Sequence, residues 1–111
     1  MRFSFLAVSL AASLLAPAAS FAQEAVTIEI RIKDHRFQPA EPKAPAGKPI
    51  VLIVKNLDST PEEFESKTLR VERVIPGNTE SRINLRALQP GRYRFFGEFH
   101  ESTAQGALIV E

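Results

Sequence analysis

The 111-residue sequence contains no cysteine. That absence excludes disulfides, thiol nucleophiles, thiolate metal sites and dithiol redox chemistry. It also leaves any fold to stand on packing alone. A surplus of one charge sign is lacking too, since 14 Lys and Arg face 13 Asp and Glu. Such a balance argues against a nucleic-acid partner, which requires a cationic surplus to neutralise phosphates. Beyond the first 22 residues there is no apolar run of the roughly 20 residues that a membrane span requires. No segment carries a long helical stripe, and there is no glycine-rich phosphate loop, HExxH helix or glycine-framed serine elbow.

What is present begins with Met1 to Ala22. This stretch has Arg2 as its only charge, an apolar run from Phe3 to Ala16, and small residues ending in Ser20-Phe21-Ala22. The layout is that of a secretory signal peptide cleaved after Ala22. The expected mature domain is residues 23–111, with 13 basic and 13 acidic residues and no net charge. At 89 residues it makes one domain with a single core, exported and without membrane insertion.

The dominant period is two. Val26, Ile28, Ile30 and Ile32 alternate with Thr27, Glu29, Arg31 and Lys33, the pattern of a half-buried strand. Ile50 to Val54 is apolar on both faces and reads as a central strand. Between them Pro39, Pro42, Pro45, Gly47 and Pro49 forbid a helix and favour edge or extended segments. Further short strands are expected at Phe64–Ser66, Leu69–Ile75, Thr79–Leu85, Gly91–Phe99 and Ala107–Glu111, with a tight turn at Pro76-Gly77-Asn78. The run Leu88-Gln89-Pro90-Gly91-Arg92-Tyr93 has the form of a tyrosine corner. These features predict an all-β Greek-key β-sandwich of about seven short strands.

Residues able to do chemistry are few. They are His35, His100, and two acidic groups, Glu62-Glu63-x-Glu65 and Glu98-x-x-Glu101 around His100. Carboxylates and an imidazole converging from two loops suit iron, Cu(II) or Zn(II). His35, just before Phe37 in a turn, reads as solvated or structural. Thr60-Pro61-Glu62-Glu63 also has the form of a helix start, allowing one helical turn. Arg70, Arg73, Arg82, Arg86, Arg92 and Arg94 read as a solvated basic face.

The segment from Tyr93 to Gly106 resembles the ligand hairpin of the cupredoxins, and Asn56 to Ser66 resembles their other ligand loop. The resemblance takes in the opening Lys33-Asp34-His35-Arg36-Phe37-Gln38-Pro39 and the proline-rich stretch through Gly47. It is closest to small exported cupredoxin-like proteins associated with bacterial iron uptake, which pair a Pro-Glu-Glu-Phe-Glu-Ser segment with a Gly-Glu-x-His segment. The blue-copper cysteine position falls on Gly97 and the upstream histidine position on Glu62. The downstream histidine is kept as His100, and the methionine position falls near Gln105. The resemblance therefore implies a cupredoxin-like scaffold without a blue-copper centre, in which a copper or iron ion is the expected cofactor.

The metal ligands expected are His100 with Glu62, Glu63 and Glu98, and then Glu65, Glu101 and Gln105. By the same resemblance the protein is periplasmic, and its partners are a membrane iron permease and other periplasmic iron-uptake proteins. It is expected to be an accessory component of iron uptake rather than a free-standing enzyme, with assistance to ferrous oxidation in a complex left open. The rival reading is a metal-free adaptor docking through its acidic and arginine faces.

Overall fold

The computed structural model describes residues 1–4, 6–7, 9–13 and 24–111. The expected leader cleavage at Ala22 lies outside the described residues. Among the described residues, no helix is long and apolar enough to cross a membrane.

Among the described residues, nine strands form two sheets. They are β1 (Val26–Lys33), β2 (Arg36–Gln38), β3 (Lys43–Ala44), β4 (Ile50–Asn56), β5 (Glu62–Ser66), β6 (Val71–Ile75), β7 (Glu80–Leu85), β8 (Gly91–Gly97) and β9 (Gln105–Val110). One sheet has the order β2-β1-β4-β7 and the other β3-β9-β8-β5-β6. The two additional strands are β2 and β3, short pieces among the prolines. β2 completes a hairpin with β1, and β3 lies parallel to β9.

The period of two places one face of every strand in the core. Ile30, Ile32, Leu52, Val54, Ile83 and Leu85 from the first sheet meet Phe64, Ile75, Phe95, Leu108 and Val110 from the second, all buried. Phe37, Phe64 and Phe95 make the aromatic centre, with Phe37 edge-on to both others at centroid distances of 5.8 and 4.9 Å. Such edge-to-face pairs add to the energy of area burial. The tyrosine corner is present: the Tyr93 hydroxyl donates to the Gln89 carbonyl at 2.8 Å.

Two local departures shape one end of the sandwich. Residues 62 and 63 are strand, not helix, because β5 pairs along its whole length with β6 (Glu62 opposite Ile75, Ser66 opposite Val71). Ladder pairing outweighs the helix-start signal of Thr60-Pro61. After Gly97 the β8 backbone turns into a single 3-10 turn, Glu98–His100, before the chain returns as β9.

Candidate metal centre

Three segments meet at the end where β1 and β4 both finish, since these two strands run parallel. The first is the β1–β2 hairpin tip, Asp34-His35, where both residues take positive φ (52° and 58°). The second is the loop from Leu57 to the start of β5. The third is the 3-10 turn carrying His100.

Glu62 occupies an inward position on β5 and is 1% exposed. A buried carboxylate needs its oxygens satisfied, and here both are. Oε1 accepts the backbone N–H groups of Glu63 and Phe99, each at 3.0 Å. Oε2 lies 2.5 Å from His100 Nδ1, within hydrogen-bond distance. His100 in turn stacks on His35, with ring centroids 3.6 Å apart and planes inclined by 12°. Ligand atoms of His35, Glu62 and His100 all lie within 4.8 Å of one another.

His35 is held from both sides. Its N–H and that of Asp34 donate to the two carboxylate oxygens of Asp58, at 2.9 and 2.8 Å. Its carbonyl accepts the Thr103 hydroxyl at 2.7 Å. A non-glycine residue in the left-handed region carries a conformational cost, and these bonds offset it. Burial alone would raise the Asp58 pKa, but the two N–H groups outweigh it and hold that carboxyl below its ordinary value. Asp58 is itself fixed by buried Asn56, whose Oδ1 accepts the Asp58 N–H. The Asn56 amide donates to the Thr60 and Ile75 carbonyls.

The seven nominated side chains do not gather at one point. His100 and Glu62 come together at the inner end of the sandwich. Glu63 and Glu65, one residue out of phase with Glu62, face the other side of the sheet and join Glu98 and Glu72 in a separate acidic group. There Glu72 and then burial push the Glu63 carboxyl up to about 7, with Glu98 adding to the shift, and Glu98 raises Glu65 as well. Gln105 stands on that outer face, accepting from Arg94 at 3.2 Å and donating to the Glu101 carbonyl at 2.7 Å. The exposed Glu101 side chain belongs to neither group.

Sequence reasoning read His35 as solvated or structural and left out Asp58, Asn56 and Thr103. The usable signal for His35 was topological. A two-residue tip following β1 must lie at the same end as the loop following a strand parallel to it.

With the geometry in view, comparison with known proteins is decisive for the family. The cupredoxin-like domain pattern matches residues 4–110. The chain belongs to the cupredoxin-like family. An uncharacterized protein of Rickettsia prowazekii (strain Madrid E) is 45% identical over 83 residues, covering 75% of this chain and 66% of the relative, just under two thirds of its length. Auracyanin A, a "blue" copper protein of Chloroflexus aurantiacus, superposes with a TM-score of 0.67 at 18% identity, over 79% of this chain and 100% of the other. The metal-binding domain of the Cu(I)-exporting P-type ATPase CopA of Streptococcus pneumoniae D39, solved with Cu(I), gives 0.64 at 17% identity, over 77% and 84%. At these identities the likeness is one of fold.

Proposed function

We propose that this cupredoxin-like protein binds one metal ion through His35, Glu62 and His100, with copper as the first candidate and iron the second. The observation that carries this reading is the pair of stacked imidazoles set against a buried carboxylate at the rigid end of the sandwich. Two nitrogens and one oxygen are a donor set used by Cu(II), Zn(II) and non-haem Fe(II). Copper is favoured because proteins of this fold include the copper proteins named above. With no thiolate in the chain, the charge-transfer bond of a blue site has no donor.

The three side chains supply donors of the right kind, and an ion requires them to rearrange. Donors about 2.0–2.1 Å from a tetrahedral metal lie roughly 3.3–3.4 Å apart, so the Glu62 Oε2–His100 Nδ1 pair, at 2.5 Å, must open, and the stacked rings must turn until their in-plane lone pairs converge. The Phe99 and Glu63 N–H groups hold Glu62 Oε1 and leave Oε2 directed at His100. Protons compete with a metal ion for imidazole and carboxylate donors, so binding weakens as the pH falls. Asp58 and Thr103 keep His35 in place, reducing the ordering that binding would require.

The wider role rests on the resemblance to small exported proteins of bacterial iron uptake. In that role the domain is periplasmic after loss of its leader, and it serves a membrane iron permease by holding or delivering iron, or by assisting ferrous oxidation with copper.

Calorimetric titration of residues 23–111 with Cu(II), Zn(II) and Fe(II) tests the site. One equivalent of at least one ion should bind, and His35→Ala and His100→Ala should each weaken it by at least about tenfold. Unchanged affinity in both variants would refute the assignment. If no ion binds tighter than about millimolar, an affinity of roughly −4 kcal/mol, the adaptor reading takes its place.

A further inference from the structure

We propose that Gly97 sets the donor chemistry of this site, by leaving open the volume in which the Glu62 carboxylate lies against His100. Gly97 ends β8 on an inward position, opposite Phe64 of β5. Its backbone is ordinary extended chain, φ −96° and ψ 108°, which any residue adopts. Glycine is therefore required here for closeness alone. A Cβ at this position would lie 2.6 Å from Glu62 Cδ, 2.8 Å from Glu62 Oε2 and 2.7 Å from the Ala104 Cβ.

The carboxylate cannot step aside at little cost. It is buried, its Oε1 carries two backbone N–H groups, and its Oε2 is engaged by His100. Any side-chain donor at 97, whether thiolate, hydroxyl or carboxylate, would compete with Glu62 for the same space. The chain holds a buried oxygen donor because it has no side chain at 97. That choice favours Cu(II), Zn(II) or Fe(II) over soft ions such as Cu(I). Ala104, fully buried at the same point, keeps the remaining wall small.

This inference deepens the metal-binding reading and rests on it for affinity, so the test has one measurement without metal and one with it. Three variants are compared with the unaltered domain: Gly97→Ala, Ala104→Gly and the two combined. In metal-free protein, the His100 imidazole held against Glu62 should give a deshielded N–H signal by NMR, absent from both variants carrying Gly97→Ala and present in Ala104→Gly; its absence from the unaltered domain would also overturn the proposal. Cu(II) affinity should fall by at least about tenfold in the same two variants. Removing the Ala104 methyl should raise the melting temperature of the Gly97→Ala protein without restoring either signal, and should keep the test alive if the single variant does not fold. Recovery of both the resonance and the affinity in the double variant would overturn the proposal, leaving Gly97 as packing against Ala104 only. Absence of Cu(II) binding to the unaltered domain would instead defeat the metal-binding reading, while the metal-free resonance still decides the role of Gly97.

Discussion

Glu62 and Glu63 are adjacent in the chain and have opposite surroundings. Glu62 points into the sandwich and meets two N–H donors and an imidazole. Glu63 points outward into a group of carboxylates, where Glu72 and Glu98 oppose its ionisation. The inner site is complementary to negative charge before any ion arrives, whereas the outer group is held together only by the sheet. The pleat creates the difference: in a strand, one step along the chain exchanges the two faces of the sheet. Acidic density in a sequence is thus a poor guide to a metal centre until the phase of the strand is known.

The sharpest break in this comparison is a change at Glu62. Glu62→Ala strands the Glu63 and Phe99 N–H groups and leaves His100 without its partner. The expected loss is about 3 kcal/mol of stability, read by urea denaturation, together with loss of metal binding. Glu62→Gln retains the shape and most of the hydrogen bonds, so it should cost about 1 kcal/mol while still removing the anionic donor. The contrast fails if Glu63→Gln destabilises the domain as much as Glu62→Gln does.

The architecture was legible in the sequence because its signals are local. The alternation of β1, the two-faced apolar run of β4, the Pro76-Gly77-Asn78 turn and the tyrosine corner each depend on neighbours within a few residues. β2 and β3 were harder to read because both are very short, and β3 exists only through its pairing with β9. Two of the three residues of the candidate centre were equally accessible: His100 and Glu62 lie in the two segments singled out. His35 was not, since its place depends on three segments meeting, with hydrogen bonds that span 23 and 68 residues of chain. The helix-start signal at Thr60-Pro61 obscured the strand phase that separates Glu62 from Glu63.

A smaller effect is expected at Asp58, which supports the inner site without touching its carboxylate. Asp58→Ala removes the acceptor of two N–H groups in a left-handed turn. It should cost about 1–2 kcal/mol and lower metal affinity by roughly tenfold. The folded pKa of Asp58 lies below its ordinary value of 3.8. Its contribution is therefore present above that value and is lost as the pH falls through the depressed pKa. Acid unfolding followed by circular dichroism should begin at higher pH in Asp58→Asn than in the unaltered domain. Identical acid transitions would show that the clamp contributes nothing.

The outer group should respond in the opposite direction. The Glu63 carboxyl is raised from 4.5 to about 7 in the folded domain, so between those values the folded chain binds more protons than the unfolded one. Stability from this group accordingly declines as the pH rises through that window and does not return above it. Melting temperatures measured from pH 4.5 to 8 should show this decline, and Glu72→Gln, which removes the largest cause, should flatten it. An unchanged slope in Glu72→Gln would mean that the carboxylates do not interact.

The least effect is expected at Gln105 and Glu101, two exposed side chains that hold neither a buried charge nor a strained turn. The Gln105 amide joins Arg94 to the Glu101 carbonyl on exposed surface, a contact whose loss in Gln105→Ala should stay within about 0.5 kcal/mol. Because Gln105 is paired with Phe96 on the face opposite Gly97, its side chain is directed away from the imidazoles. Metal affinity in Gln105→Ala and Glu101→Ala should remain within about twofold of the unaltered domain, well inside the roughly tenfold loss expected at Asp58. A larger drop in Gln105→Ala would extend the site through the sheet and erase the separation between its two faces. An unchanged value would confine the centre to the inner end, where Glu62 is held.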